Sequence, residues 1–376
     1  MQSIQMVDLT TQYERIQPDM DRAILDVIRS GRYIKGEAVA ALAEDLKRYT
    51  GAKHVIPCGN GTDALQMALM VLDLQPGDEV IVPAFTYAAC AEVIALLRLI
   101  PVLVDVDPGT FNIDVRKIEE AVSAKTKAII PVHLFGQTAD MEPLMEIARK
   151  HHLYVIEDNA QSIGSVYTFF SGEKKQAGVI GDIGVLSFFP TKNLGCYGDG
   201  GALLTNNDIL AGQLQMIASH GQSQKYRHER IGCNSRLDTL QAAVLRVKLP
   251  CLPAWILARR KAASLYDAGL KNLSRIETPE CIPSSTHVYH QYTLKIGKGQ
   301  RDGLQQYLKA KGIPSMVYYP LPLQEQPAFR KIVRIGGDMS ATEMLCRSVL
   351  SLPMHTELTG EQIKKIVEEM KSYYEE

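Results

Sequence analysis

The stretch KHVIPCGNGTDALQMALMVLDLQPGDEVIVPA, residues 53–84, reads as strand, glycine turn, helix and strand. "KHVIPC" and "DEVIVPA" are short continuous apolar runs, whereas "TDALQMALMVLDL" spaces its apolar residues as a helix does. Strands whose apolar residues run on without alternating are buried on both faces. That pattern belongs to a parallel sheet covered by helices. Gly59 and Gly61 lie at the junction of strand and helix. Such a pair serves either a tight turn or a phosphate held by free backbone N–H groups at the helix start.

The same alternation continues outward. Upstream, Val39, Leu42, Leu46 and Tyr49 predict a helix that Gly51 stops. Downstream, "AACAEVIALL", "PVLVDV", "KAIIPVHL", "MEPLMEIARKHH" and "LYVIED" read in turn as helix, strand, strand, helix and strand. After Leu249 the pattern changes. Pro250 and Pro253 interrupt, and a long helix, the strand-like "YHQYTLKI", the helix-like "DGLQQYLKAKG" and a final helix follow. The expected architecture is a large α/β domain over residues 1–248, with a helical N-terminal segment, and a smaller α+β domain over residues 249–376.

Composition narrows the class. The chain has 376 residues and a formal net charge of −1, so no basic field is available for nucleic acid. The densest basic stretch, "ILARRKAA" with Arg259, Arg260 and Lys261, is expected to be a solvated helix face. The opening "MQSIQMVDLT" does not read as a signal peptide, and no stretch is expected to span a membrane. Seven cysteines, odd in number and without a Cys-x-x-Cys, point to reduced thiols in a cytoplasm. His151 and His152 read as a helix end and not as a metal site.

Three features carry chemistry. "VIEDNAQS" brings Glu157 and Asp158 to the carboxyl end of a strand, where open α/β sheets place ligands. Asp158 alone could equally cap the next helix. "FFPTKNLGCYGDGG" holds one lysine, Lys192, in an apolar, glycine-rich setting. Desolvation lowers the pKa of such an amine and lets it form a Schiff base, although a lysine in a loop is often merely exposed. The glycine turn at 59–61 is the third. Together they are an amine for an aldehyde, a carboxylate for a pyridinium nitrogen and a cradle for a phosphate, which are the needs of pyridoxal phosphate.

With these residues in view, the sequence resembles the DegT/DnrJ/EryC1/StrS family of nucleotide-sugar aminotransferases. The likeness runs from "SGRYIKG" through "GNGTDAL", "PAFTYAACAEVIALL", "IEDNAQSIG" and "SFFPTKNLGCYGDGG" to "RIGCNSRLDTLQAAVLRVKL", "YHQYTL" and "VYYPLPLQEQPAF". It implies the aspartate-aminotransferase fold, PLP fold type I. It also implies a homodimer with shared active sites. Lys192 matches the Schiff-base lysine, Asp158 the partner of the ring nitrogen, and Gln161 the amide near the ring hydroxyl. Gly61, Thr62, Asp63 and Ser187 match the phosphate site, Tyr87 the stacking aromatic, and Asn234 the amide that reaches the neighbouring subunit's cofactor. Gly31, Tyr33, Thr191, Arg236, Tyr318 and Tyr319 fall where relatives touch the sugar nucleotide.

The implied reaction moves an amino group from L-glutamate, which leaves as 2-oxoglutarate, to a UDP- or dTDP-linked keto sugar. "NSRLDTLQAA" and "LGCYGDGG" suggest a UDP-linked 3-keto-2-acetamido uronic acid. A dTDP-3-keto-6-deoxyhexose is the alternative. A sugar dehydratase is disfavoured because Lys192 stands where dehydratases have histidine. A non-catalytic regulator sensing the cofactor or a sugar nucleotide is the reading from another class, and a nicotinamide enzyme is disfavoured by the position of "GCYGDGG". Three positions depart from the family pattern. Tyr318 replaces a histidine, Arg98 replaces a glycine at a left-handed turn, and "SVYTFFSGEKKQAGVIGD" is long and apolar, with Phe169 and Phe170 open to a packing or a lid role.

Overall fold

A computed structural model describes residues 3–297 and 299–375. Eight strands form one sheet: β1 (His54–Cys58), β2 (Glu79–Pro83), β3 (Ile100–Val104), β4 (Thr126–Ile129), β5 (Tyr154–Asp158), β6 (Ile183–Ser187), β7 (Gly201–Thr205) and β8 (Arg334–Ile335). Their spatial order is β1-β7-β6-β5-β4-β2-β3-β8. Every pairing from β6 to β8 is parallel, while β7 runs antiparallel to both β6 and β1.

The continuous apolar strands are buried on both faces, as their composition predicts. In β2, Val80 and Val82 join the core built on the helices Gly61–Val71 and Ala89–Leu96. Ile81, between them, points to the other face, against Ile118 and Leu144 of the helices Val115–Ala121 and Met141–His151. Period-2 alternation thus separates two cores and leaves no polar face.

The chain after residue 248 does not stay in one layer. Three strands, Ile276–Glu277, Tyr292–Ile296 and Val349–Leu352, form a small antiparallel sheet. The helices Leu252–Leu270, Arg301–Ala310 and Gly360–Glu375 pack on it around Tyr266, Leu294 and Ile366. Between these elements the chain returns to the large sheet, where β8 pairs with β3. Arg334 donates to Glu79 Oε2 at 3.0 Å, and Asp105 accepts from the Thr342 amide at 2.8 Å. These ties pin the returning segment to the sheet edge.

Some local expectations change and others hold. Arg259 is only 3% exposed and donates to the Tyr289 and Met354 carbonyls at 3.1 and 2.9 Å. Arg260 donates to the His287 carbonyl at 2.8 Å, so of the basic trio only Lys261 lies on a solvated face. The helical run Thr239–Leu270, which passes through a 3-10 turn at Leu249–Cys251, is long and apolar enough to cross a membrane. It packs instead as a core helix pair, because Leu245, Leu252 and Ile256 sit in the second core of the large sheet. Arg98 takes the left-handed conformation at φ 60°, a strain of about 1 kcal/mol for a side chain with a Cβ. The insertion folds as a hairpin, Val166–Thr168 with Lys174–Gln176. Phe169 packs edge-on to Tyr167, and Phe170 is 90% exposed. His152 caps its helix in the left-handed region.

Candidate active site

Strand β5 delivers two acids, and alternation sends them to opposite faces. Glu157 is fully buried. Its oxygens accept from the amides of Gly178, Ile180 and Gly181 at 2.6–2.8 Å and from His133 Nε2 at 2.9 Å. His133 Nδ1 accepts from the Ala139 amide, so the ring proton sits on Nε2 and is donated to Glu157. Glu157 is therefore a structural acid, and only Asp158 reaches the cleft. Asp158 Oδ1 accepts from the Ala160 amide at 3.0 Å, and Oδ2 accepts from the Cys90 thiol at 3.2 Å.

Lys192 lies on the loop after β6. That loop is tight. The Lys192 amide donates to the Phe189 carbonyl at 2.8 Å, and a Cβ at Gly195 would fall 2.3 Å from the Pro190 carbonyl oxygen. The Lys192 side chain keeps some surface open to the cleft, yet protein surrounds it closely. Burial pulls its pKa from 10.5 to about 8, with the Asp158 charge acting in the opposite direction. Its ammonium takes no hydrogen bond among the described residues. His290 is also close. Burial, then the charges of Lys192 and Arg259, push this imidazole well below its usual pKa, so it is neutral at pH 7.

The glycine turn opens a cradle. Asn60 caps the helix from Gly61 by accepting the Asp63 amide at 2.8 Å. The Gly61 and Thr62 amides take no partner among the described residues. Gly61 lies so close to the end of β6 that a Cβ would meet Ser187 Cβ at 2.8 Å. The Asp63 carboxylate does not point at this opening. It accepts from Ser235 Oγ at 2.7 Å, and Ser235 Oγ in turn accepts the Gly59 amide at 2.9 Å. Ser235 was not singled out by sequence reasoning, although it adjoins Asn234.

Aromatic rings wall the cleft. Tyr87 is 62% exposed, and its ring centroid lies 6.3 Å from that of Tyr319. Tyr319 packs edge-on to Phe85 at 5.9 Å, with Tyr318 beside it at 6.2 Å. Gln161 accepts the Phe135 amide at 2.7 Å and reaches Tyr319 Oη at 3.4 Å. Burial raises the phenol pKa of both Tyr318 and Tyr319, so both remain protonated donors.

Of the remaining candidates, only Thr191 adjoins the lysine. Gly31 ends the helix Gln17–Ser30 in the left-handed region. Tyr33 is half exposed, and its carbonyl accepts the Thr239 amide at 2.9 Å, which sets the 31–36 loop against the segment following Arg236. Arg236 is half-buried with no ion pair among the described residues. Thr191 is half-buried next to Lys192, and Asn234 is exposed where it bridges Ser219.

Two groupings result. Lys192, Asp158, Gln161 and Tyr319 surround one cleft. Gly61, Thr62 and Ser187 line an opening at a helix start, where free amides and the helix dipole favour an anion. A neutralisable amine, a carboxylate at the end of the neighbouring strand and an anion cradle fit pyridoxal phosphate, with Tyr87 free to cover an aromatic ring.

Comparison with known proteins agrees. The chain matches the DegT/DnrJ/EryC1/StrS aminotransferase family over residues 14–371. It is 47% identical to a pleiotropic regulatory protein of Geobacillus stearothermophilus, over 99% of both chains. It is also 47% identical to the UDP-2-acetamido-2-deoxy-3-oxo-D-glucuronate aminotransferase of Pseudomonas aeruginosa, covering 96% of this chain and 98% of that one. Among solved structures, a DegT/DnrJ/EryC1/StrS aminotransferase from Brucella abortus superposes with a TM-score of 0.94 at 41% identity, over 99% of this chain and 100% of that one. A sugar aminotransferase of Streptococcus pneumoniae in its PLP form superposes with a TM-score of 0.88 at 27% identity, over 95% and 96% of the two chains.

Proposed function

This chain belongs to the DegT/DnrJ/EryC1/StrS aminotransferase family, and on that premise we propose how its residues serve pyridoxal-phosphate-dependent amination of a nucleotide-linked keto sugar. The observation that carries the reading is Lys192, an amine brought to a pKa of about 8 and held toward Asp158 in a cleft. The donor is L-glutamate. The acceptor is a UDP-linked 3-keto sugar of the 2-acetamido uronic acid type, and the 47% identity to the Pseudomonas enzyme supports that choice.

Bound pyridoxal phosphate supplies an aldehyde that condenses with amines and a ring that accepts an electron pair. The chain does the rest. Lys192 Nζ would hold the cofactor through its aldehyde and, once freed by the donor amine, would be the base that takes the proton from Cα of glutamate. With the keto sugar, the same amine would deliver a proton to the sugar carbon that gains the amino group. Asp158 keeps the ring nitrogen protonated. The Gly61 and Thr62 amides and Ser187 hold the phosphate, while Asp63 acts through Ser235. Tyr87 covers the ring and Gln161 faces its hydroxyl. Thr191, Tyr318 and Tyr319 border the sugar.

A homodimer completes the site, with Gly31, Tyr33, Asn234 and Arg236 serving the shared part. Tyr226 and Ile231, 82% and 86% exposed beside that segment, support a partner surface there. The family composition and the scattered thiols support a cytoplasmic enzyme. A regulatory role has one point in its favour: the Geobacillus relative is a pleiotropic regulatory protein.

The test is to incubate the purified protein with glutamate and a panel of UDP- and dTDP-linked keto sugars, and to weigh the products. The UDP-linked 3-keto-2-acetamido uronate should gain an amine. Amination of dTDP-6-deoxy keto sugars alone would replace the uronate by the deoxyhexose. Failure of glutamate to convert the bound cofactor to its amine form would favour the sensor.

A further inference from the structure

We propose that Cys90 is a positioning residue, whose thiol fixes the plane of the Asp158 carboxylate for the ring nitrogen of the cofactor. The inference rests on the pyridoxal phosphate reading of the cleft. Asp158 ends a strand, and the torsion that turns its carboxylate is broad and two-fold. A contact from its own neighbourhood, the Ala160 amide on Oδ1 at 3.0 Å, leaves that torsion free to swing about one oxygen. The second contact comes from another element. Cys90 lies in the first turn of the helix Ala89–Leu96, after β2, and its sulfur stands 3.2 Å from Oδ2. Strand β4 lies between β2 and β5, so the thiol reaches over a whole strand. Two donors from two elements, one on each oxygen, define a plane.

The chemistry of the donor matters as much as its place. Cys90 is buried, and burial together with the Asp158 charge raises the thiol's pKa well above the usual range. It therefore stays protonated and can only donate. A thiol is a weak donor, so it orients the carboxylate while drawing little charge from it. The connection that carries Cys90 also carries Phe85 and Tyr87, so the aromatic wall and the thiol are placed as one unit.

The test compares Cys90→Val and Cys90→Ala, which lack a donor, with Cys90→Ser, which keeps one. Thermal melting of the apoproteins first establishes that each folds. Pyridoxal phosphate affinity is then measured by fluorescence titration of the apoprotein. The pH midpoint of the bound cofactor's visible band is measured on the loaded form. Without the donor, the ring nitrogen holds its proton less well and the bound chromophore becomes more basic. The Val and Ala forms should bind about fivefold more weakly and titrate about 0.5 unit higher in pH, with turnover about tenfold lower. The Ser form should lie within about twofold of the parent on each measure.

Val and Ala forms that bind and titrate like the parent would overturn the inference. So would a Ser form as poor as the Val form, since packing alone would then explain the loss. If the unsubstituted apoprotein takes up no pyridoxal phosphate, the cofactor reading itself fails, and that result is separate from any difference among the variants.

Discussion

Two lysines meet the loop after β6, and burial draws both from a pKa of 10.5 to about 8. Lys248 comes from below, off the helix Thr239–Lys248. It donates to the Gly195 carbonyl at 2.8 Å and lies 4.2 Å from the Tyr197 ring centroid. Lys192 is on the loop itself, open to the cleft, with Asp158 as its charge neighbour and no hydrogen bond among the described residues. A lowered pKa is thus common to the prop and to the amine proposed to react. Access and a free ammonium distinguish them. The two acids of β5 repeat the contrast. Glu157 has every oxygen engaged by backbone amides and His133, whereas Asp158 faces the cleft.

The largest effect should come from exchanging the lysines' fates. Lys192→Ala should lose turnover by at least about 10³-fold. Borohydride reduction of the parent should fix the cofactor to the peptide that holds Lys192. Lys248→Met should keep turnover within a few-fold and lose about 1–2 kcal/mol of stability, seen as a lower melting temperature, because the Gly195 carbonyl loses its donor. Label on Lys248, or equal activity losses in the two variants, would break the distinction.

The acids should separate in the same way at smaller amplitude. Asp158→Asn keeps the shape and removes the charge that holds a pyridinium, so turnover should fall by about 10²-fold with melting little changed. Glu157→Gln should instead lose about 2–3 kcal/mol of stability, because a buried carboxylate with several donors cannot be matched by an amide. A Glu157→Gln protein that melts normally but does not turn over would place the wrong acid at the chemistry.

The smallest effect sharpens the lysine comparison by pH. Only the neutral amine condenses with an aldehyde, so protonation of Lys192 must slow cofactor capture as pH falls. With its pKa lowered to about 8, capture by the apoprotein should rise about fivefold from pH 7 to 8 and level off above about 9. An unperturbed lysine would keep rising toward 10.5. Stopped-flow fluorescence at a series of pH values reads the difference.

The sequence shows Lys192 and Asp158 because their neighbourhoods are local. A lysine among Phe, Pro and Gly, or an acid ending an apolar strand, declares its setting within a few residues. The strands are legible for the same reason, since burial on both faces leaves no polar positions. Lys248, Arg259 and Cys90 are illegible because their partners are remote in sequence. Lys248 sits in "LRVKLP" like any helix-end lysine, and Gly195 lies 53 residues away. Arg259 looks solvated in "ILARRKAA", but carbonyls 30 and 95 residues distant accept from it. Cys90 passes for a small apolar residue until Asp158, 68 positions on, comes within reach. Glu157 and Asp158 are adjacent letters, and only the strand's alternation shows that one faces the cleft.

The pairing of β8 with β3 has a consequence for synthesis on the ribosome. Strand β3 is made early, yet its neighbour, Arg334–Ile335, follows about 230 residues later. At ordinary rates of chain growth that gap is on the order of ten to fifty seconds. For that interval the nascent sheet presents Ile100–Val104 as an open, apolar edge, the kind of template that recruits other chains. A translation pause or truncation before residue 334 would therefore leave an adhesive intermediate that holds most of the proposed site residues. The burden on chaperones falls on the time before the last strand arrives.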